Sequence, residues 1–566
     1  MIVSCSTSVG WVLGLGTLSS LGAVPGLVDW VVFVPLLTAL VVGAMPRSEP
    51  GLARALGVGG ALVELVLISA LVLAYDGAGP SVQHISTTAW LPSLGVSWTL
   101  GVDGAALPML VLLGLVVPLA LMLGGAPRPG EPPVVVGMMG LQAAWAGVIL
   151  ARDLVSFSAC WELSVVAMVV LIGERGDGKQ GRAGRTAAAR RYAIFALPGA
   201  AALIAATVLL GVAHAHASGV WSWRFEDLSQ VALPGSVQYL GFGLVGLAAL
   251  VSLPLAPLHG WLSGVARSGP TPVVAAILGI GMPMGVFLLQ RVALPLFPLA
   301  AGEWGDPLAA VAVAGAIFAA LASWAERDAG RALAHIATLH IALAVVGVLS
   351  GSAAAWIGVG PFLLAHGLGL TVLTAVFHGL RRDRLTDLGE LAGWAQVAPW
   401  GLALAFTAAL VLGGVPGSAG FLGSTAIVIG ALREGSVALL RPAVWTLLSV
   451  GALTLGTVGL LRSLWRAARG SPRPGLDGRL HEPPRRERVV AAVAVLACLA
   501  LGVAPTWLLS RTRAAQERAA ADLQLARCLA IEVRAEARPR LRADFQSVCL
   551  DPEARIRQFY GLGDPP

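Results

Sequence analysis

The sequence predicts an all-α polytopic membrane protein of about fourteen transmembrane helices. Composition is the first reason: of 566 residues, 57% are hydrophobic and only 12% are charged, about half the ~25% of soluble domains. Spacing is the second, because apolar stretches of roughly the twenty residues a hydrocarbon core demands recur along the chain. The third is that the arginines gather in alternate loops, as the positive-inside rule requires.

Residues 1–26 are weakly apolar, lack a basic n-region and contain Pro25, which speaks against a cleaved signal peptide. An interfacial segment or a mis-assigned start fits them. Spans are expected near 28–45, 52–75, 102–124, 133–151, 153–173, 190–212, 237–257, 271–293, 307–325, 331–350, 356–380, 396–430 (broken), 442–462 and 488–509. With the N-terminus outside, the loops 46–54, 125–132, 174–191, 259–270, 325–333, 380–396 and 462–488 carry 23 Lys/Arg. The opposite short loops carry five: Arg152, Arg224, Arg291, Arg433 and Arg441. Both termini then lie on the outer, periplasmic side of an inner (plasma) membrane. The net charge of +7 therefore reflects loops on one side and does not imply nucleic acid.

The polar tail, 511–566, has ten Arg, eight Asp/Glu and a helix-like run from Arg513 to about Arg538. Cys528 and Cys549 lie in it; in an oxidising compartment a bridge is open to them, and an unlinked pair fits equally. Cys160 and Cys498 fall in apolar spans, and the five cysteines show no metal spacing. Seventy glycines and thirty-five prolines suit close helix packing and broken helices.

The most informative span is Asp153–Gly173, with Glu162 near its middle. An ionised acid at that depth costs about 2.5–3.5 kcal/mol on insertion scales. Glu162 is thus either part of an ion path or a protonated, hydrogen-bonded packing residue. Glu64 in the second span poses the same choice, between an interhelical partner and a neutral packing acid. Prolines interrupt two spans at matching places, Val251–Trp261 and Leu412–Phe421. Breaks five spans apart point to an internal inverted repeat with ion sites at the breaks. His259, just past the first break, can relay protons or cap exposed carbonyls. His340 and His366 read as inward-facing polar residues of a wet axis rather than metal ligands. His214 and His216 read as solvated loop residues, and nine histidines without clustered acids argue against a metal site. The Arg-rich loops 175–191 and 462–488 set topology and touch anionic headgroups.

Several segments resemble the antiporter-like membrane subunits of respiratory complex I, the chain M type in particular, within the wider proton-conducting and Mrp antiporter family. Asp153–Gly173 is similar to "DLL..FWEL.L.P.YLLIG". Trp90–Gly95 with Gly101-Val-Asp103-Gly104 is similar to "W.P.LG….LGVDG". Pro257-Leu-His259-Gly-Trp261-Leu with Gly269-Pro-Thr-Pro272 resembles "PFHTWLPDAH.EAPT". Asp328–His340 resembles "D.K.LIAYSS.SH", and Ala365-His366-Gly-Leu and Val415–Phe421 resemble "AHGL" and "LPGTSGF". These ordered matches cover roughly residues 28–510.

The resemblance implies an N-terminal segment (1–27), first transmembrane helices (28–130), two antiporter-like five-helix repeats (131–300 and 301–465), a loop and last helix (466–510) and the tail (511–566). It implies partners: other membrane subunits and, through them, a redox arm. It also implies a proton path along a polar axis at mid-membrane, built from a fifth-span Glu, lysines on the seventh and eighth spans, later histidines and a Lys or Glu on the twelfth. Here the glutamate is Glu162, and the histidines are His340 and His366. The lysine positions hold Ser252 and Pro283, and the twelfth-span position holds Ser424. The only lysine is Lys179, in a polar loop. Without a cation beside it, a buried acid keeps its proton. Ser252 and Ser424 can still hold water, but Pro283 offers neither donor nor charge, so the relay is expected to be incomplete.

No dinucleotide fingerprint, iron–sulfur framework or haem motif is present, so no cofactor and no redox chemistry are expected on this chain. Three readings remain: an ion-translocating subunit of an NADH:quinone oxidoreductase, related hydrogenase or cation antiporter; a structural subunit that has lost translocation; or the membrane partner of an inorganic-carbon uptake complex. The lack of a long amphipathic arm after the last span favours the chain M type.

Overall fold

Hydropathy becomes helix along almost the whole chain. The computed structural model describes residues 26–535, apart from 125, 128–130, 175–180, 256, 434–439, 473–475 and 477. Residues 1–25, Lys179, Cys549 and the end of the tail lie outside the described residues. The helices are α1 Leu27–Gly43, α2 Pro50–Ala74, α3 Ala106–Leu121, α4 Glu131–Leu150, α5 Leu154–Gly173 and α6 Gly181–Ser218. Next come α7 Gly235–Ser252, α8 Thr271–Leu296, α9 Pro298–Ala325, α10 Ala329–Leu349 and α11 Ala353–Arg382. Last are α12 Pro399–Leu412, α13 Ala419–Arg433, α14 Leu440–Ala468, α15 Arg485–Val503 and α16 Thr506–Ala535.

Among the described residues ten helices are long and apolar enough to cross a membrane, or eleven if α15 and α16, bent by 64°, count as one. α1, α3, α12 and α13 are shorter apolar helices. The expected last span (488–509) ends early, at Val503, where Pro505 stops it and the chain turns into α16. α16 begins upstream of the expected Arg513 and folds back over the bundle: the Gln290 amide donates to Gln516 at 2.9 Å, and Arg518 donates to the Gly79 carbonyl at 3.2 Å. Cys528 on α16 is disulfide-bonded, and Cys160 and Cys498 are free.

One element was not foreseen. Residues read only as a motif form an antiparallel hairpin, β1 Val82–Leu91 and β2 Val96–Asp103, paired from Val82↔Asp103 to Leu91↔Val96. Gly95, at φ +65°, closes its turn in a conformation that favours glycine. β2 consumes residues through Asp103, so α3 starts at Ala106 and not at 102.

The hairpin ends in a buried ion cluster. The Asp103 carboxylate accepts from Arg152 at 2.7 Å and from Arg291, and Arg152 also bridges to Glu226. Arg291, expected in a loop, sits instead at the buried end of α8, with its other nitrogen on the Ile149 carbonyl at 3.1 Å. Burial works against the charge on Asp103, but the Arg291 and Arg152 guanidiniums outweigh it and hold the carboxyl below the usual aspartate range.

α8, α10 and α11 form the centre, almost wholly enclosed by other helices. α11 packs on α13 backbone to backbone: a Cβ on Gly423 would lie 2.6 Å from the Gly358 carbonyl oxygen, so only glycine fits.

Helix breaks leave carbonyls needing donors. α7 stops at Ser252, and the Trp261 indole donates to the Val251 carbonyl at 3.0 Å. α12 stops at Leu412, where Pro416, four residues on, has no N–H to offer its carbonyl. Gly414 and Gly417, at φ +74° and +88°, carry the turn into α13. In α8, Ile277–Gly281 is π-helical, and Pro283 stands where a π turn would need a donor for the Leu278 carbonyl. His340 Nε2–H donates to Leu412 and His366 Nε2–H to Leu278, both at 2.9 Å.

Two outcomes are expected. Asp103→Asn leaves two buried guanidiniums short of charge and lowers stability by about 3–5 kcal/mol in thermal unfolding. Because the native carboxyl is the stronger acid, this contribution is complete at neutral pH and disappears as pH falls through its lowered value; an unchanged melting curve for the variant would contradict it. His340→Ala strands the Leu412 carbonyl and costs about 1–3 kcal/mol, part of which His340→Gln restores.

Candidate proton-path site

Glu162 lies midway along α5, a helix started by Asp153, whose carboxylate caps the Ser156 amide at 2.7 Å. Its side chain is half-buried, and its buried Oε1 has no hydrogen-bond partner among the described residues. No ion pair reaches it among those residues. Ser158, one turn before, bonds Thr207 of α6 at 2.7 Å and ties α5 to its neighbour.

Ser252 ends α7, and its hydroxyl turns back to the Ala248 carbonyl at 3.4 Å. Ser424, on the first turns of α13, bonds its own Phe421 carbonyl at 3.2 Å beside Gly414. Both hydroxyls are spent on their own helices. Pro283 is buried in α8, directly after the π turn.

His340 of α10 and His366 of α11 are brought together. Their rings are 5.2 Å apart, both are fully enclosed, and His340 stacks on Phe362 at 4.1 Å. A carbonyl can only accept, so each Nε2 carries hydrogen, and in the neutral ring each Nδ1 is a bare acceptor. Both Nδ1 atoms lack partners among the described residues. The pair thus ties the α8 irregularity to the α12 break and leaves two acceptor nitrogens without partners among the described residues. Glu162 is not bonded to it. α8 contacts α5 through Gly281, beside Trp145 and Met168, and from Ile277 to Pro283 it carries no ionisable side chain.

His259 does not cap the first break, since Trp261 does. Its ring lies 5.7 Å from Phe318, which is 6.1 Å from His335, and its Nδ1 is buried without a partner among the described residues. His335 Nε2 in turn lies 3.9 Å from Glu326. Sequence reasoning passed over His335, although it falls inside the Asp328–His340 segment. His214 is another correction: it is buried in α6, with its ring nitrogen 3.0 Å from the Val220 carbonyl, and is not a solvated loop residue.

Residues 151–449 match the family described as "NADH:quinone oxidoreductase/Mrp antiporter, TM". The chain is similar to the NADH-quinone oxidoreductase subunit M of Escherichia coli (strain K12), 28% identical over 77% of this chain and 85% of that one. Its fold is similar to a chain of respiratory complex I from Thermus thermophilus, with TM-score 0.74 and 25% identity over 88% of this chain and 99% of that one. It is also similar to a chain of the Mrp complex from Dietzia sp., with TM-score 0.76 and 20% identity over 89% and 99%. The match spans more than half of the chain, from the entry to α5 into α14, and on that ground the chain belongs to the NADH:quinone oxidoreductase/Mrp antiporter transmembrane family.

Proposed function

We propose that this chain is an antiporter-like subunit of a multi-chain complex of the quinone oxidoreductase or Mrp type, in the inner (plasma) membrane, and that proton passage through its own interior is impaired. One observation carries the reading: the positions expected to hold intramembrane lysines are Ser252 and Pro283, with Ser424 at the twelfth-span site and Lys179 the sole lysine. A lysine beside a buried glutamate keeps the acid ionised and, with its own proton loosened by desolvation, can pass a charge on. Glu162 has no such partner among the described residues, so on this reading it holds its proton and cannot act as half of an electrostatic switch. His340 and His366 retain acceptor nitrogens, and His259 stands near the first break, but among the described residues no cation links them to Glu162.

The partnership rests on the relatives, which are named as a subunit of an oxidoreductase and as part of a complex. We read fourteen crossings as the ten long helices plus α1, α3, α15 and the broken α12–α13. The inverted repeats fall at 131–300 and 301–465, with both termini outside. Matching breaks after α7 and α12 support that arrangement, as does the arginine count.

In vesicles holding the complex, Glu162→Gln is expected to change proton uptake by less than about twofold; a severe loss would show that Glu162 still titrates. Ser252→Lys is expected to ionise Glu162, read as loss of its protonated-carboxyl infrared band, and a persisting band would deny that the two positions adjoin. Co-purification with cofactor-bearing redox chains supports the complex, whereas recovery with a single soluble protein overturns it.

A further inference from the structure

Glu64 sits in the middle of α2, fully buried, and neither carboxyl oxygen has a hydrogen-bond partner among the described residues. Gln142 of α4 is equally buried, and both its Oε1 and its Nε2 also lack partners there. The two orphans have complementary chemistry, and the packing sets them at one level. α2 and α4 run parallel, since α3 returns the chain between them. Arg54 of α2 donates to Glu131 of α4, and about one turn further on Gly57 packs directly on Val135. Glu64 and Gln142 follow after another seven residues on each helix, close to two full turns, so they return to the same facing sides.

Among the described residues, no helix packed against α2 brings an unpaired cation to an ionised Glu64. α1, α3 and α4 pack against α2. α1 offers only Asp29 at its first turn, held by the Ser86 hydroxyl; α3 offers no ionisable side chain; α4 offers only Glu131, paired with Arg54. A neutral carboxylic acid suits the place: its O–H donates to the amide oxygen while the amide N–H donates to its carbonyl, engaging all four orphan atoms in one ring of two hydrogen bonds. A hard metal cation needs more oxygens than these three, and no group of three or more ligating side chains occurs among the described residues.

We propose that Glu64 and Gln142 form a proton-binding site inside the membrane, with Glu64 carrying the proton and the Gln142 carboxamide holding it. Gly137 against Leu171 and Gly147 against Cys160 align the antiparallel α4 and α5, which places this pair within about one turn of the depth of Glu162. The site does not depend on the lysine losses, because no lysine position adjoins it.

Infrared spectroscopy of the full subunit in lipid vesicles tests it, with Glu162→Gln as the background so that only one mid-membrane acid remains. At neutral pH this protein should show a protonated-carboxyl band that moves in D2O. Glu64→Gln should abolish the band, and Gln142→Leu should shift it to higher frequency as the amide partner is lost. A carboxyl region unchanged by Glu64→Gln would overturn proton occupancy. An unshifted band in Gln142→Leu would overturn the pairing, and this variant serves alone if the first fails to insert.

Discussion

A backbone carbonyl released from its helix inside a bilayer finds no water, and the donors that meet this need organise the bundle. Three of the interruptions are satisfied by ring N–H groups from neighbouring segments: Trp261 to Val251, His366 to Leu278 and His340 to Leu412. Trp356 does the same for Val348 where α10 ends. Each bond fixes a break to a neighbouring segment and gives a released carbonyl its donor.

This changes the meaning of the histidines. In a free relay an imidazole turns to collect a proton on one side and release it on the other. His340 and His366 cannot turn without abandoning a buried carbonyl, which costs about 1–3 kcal/mol. Their Nε2 atoms serve the fold, and their Nδ1 atoms have no hydrogen-bond partner among the described residues.

Much of this was legible in the sequence, because hydropathy and proline act locally. The spans around Glu162 and His366 appear within a few residues of their expected ends, and both breaks fall where Pro254 and Pro416 place them. What stayed hidden depends on distant partners or on geometry that hydropathy does not record. The hairpin at Val82–Asp103 is half-polar and short, and reads as loop beside such strong helices. Arg291 looked like a loop arginine because its partner, Asp103, lies 188 residues away. The π turn at Ile277–Gly281 shifts the period by one residue without altering composition. Glu64 was visible as an acid in a span, but Gln142 carries no charge to draw notice, and only the helix register relates them.

Away from the Asp103, Arg152, Arg291 and Glu226 cluster, the mid-span polar groups of α2, α4 and α5 and those at the helix breaks need carry no charge. Glu64 and Glu162 can be protonated, His340 and His366 can be neutral imidazoles, and Ser252, Ser424 and Gln142 are uncharged. On the proposed reading, the lysines missing at Ser252 and Pro283 are a coupled matter and not two separate accidents. If the two positions adjoin as proposed, a lysine at the Ser252 position is tolerable only while Glu162 is ionised to face it, and Glu162 is ionised only while a cation faces it. Remove either, and the survivor becomes a lone buried charge that must neutralise itself. Once neutral, it no longer sustains a charge at the next position along the axis. A proline at 283, which would leave a gap in a charged relay, then carries no electrostatic penalty, and the carbonyl it frees already has its donor in His366.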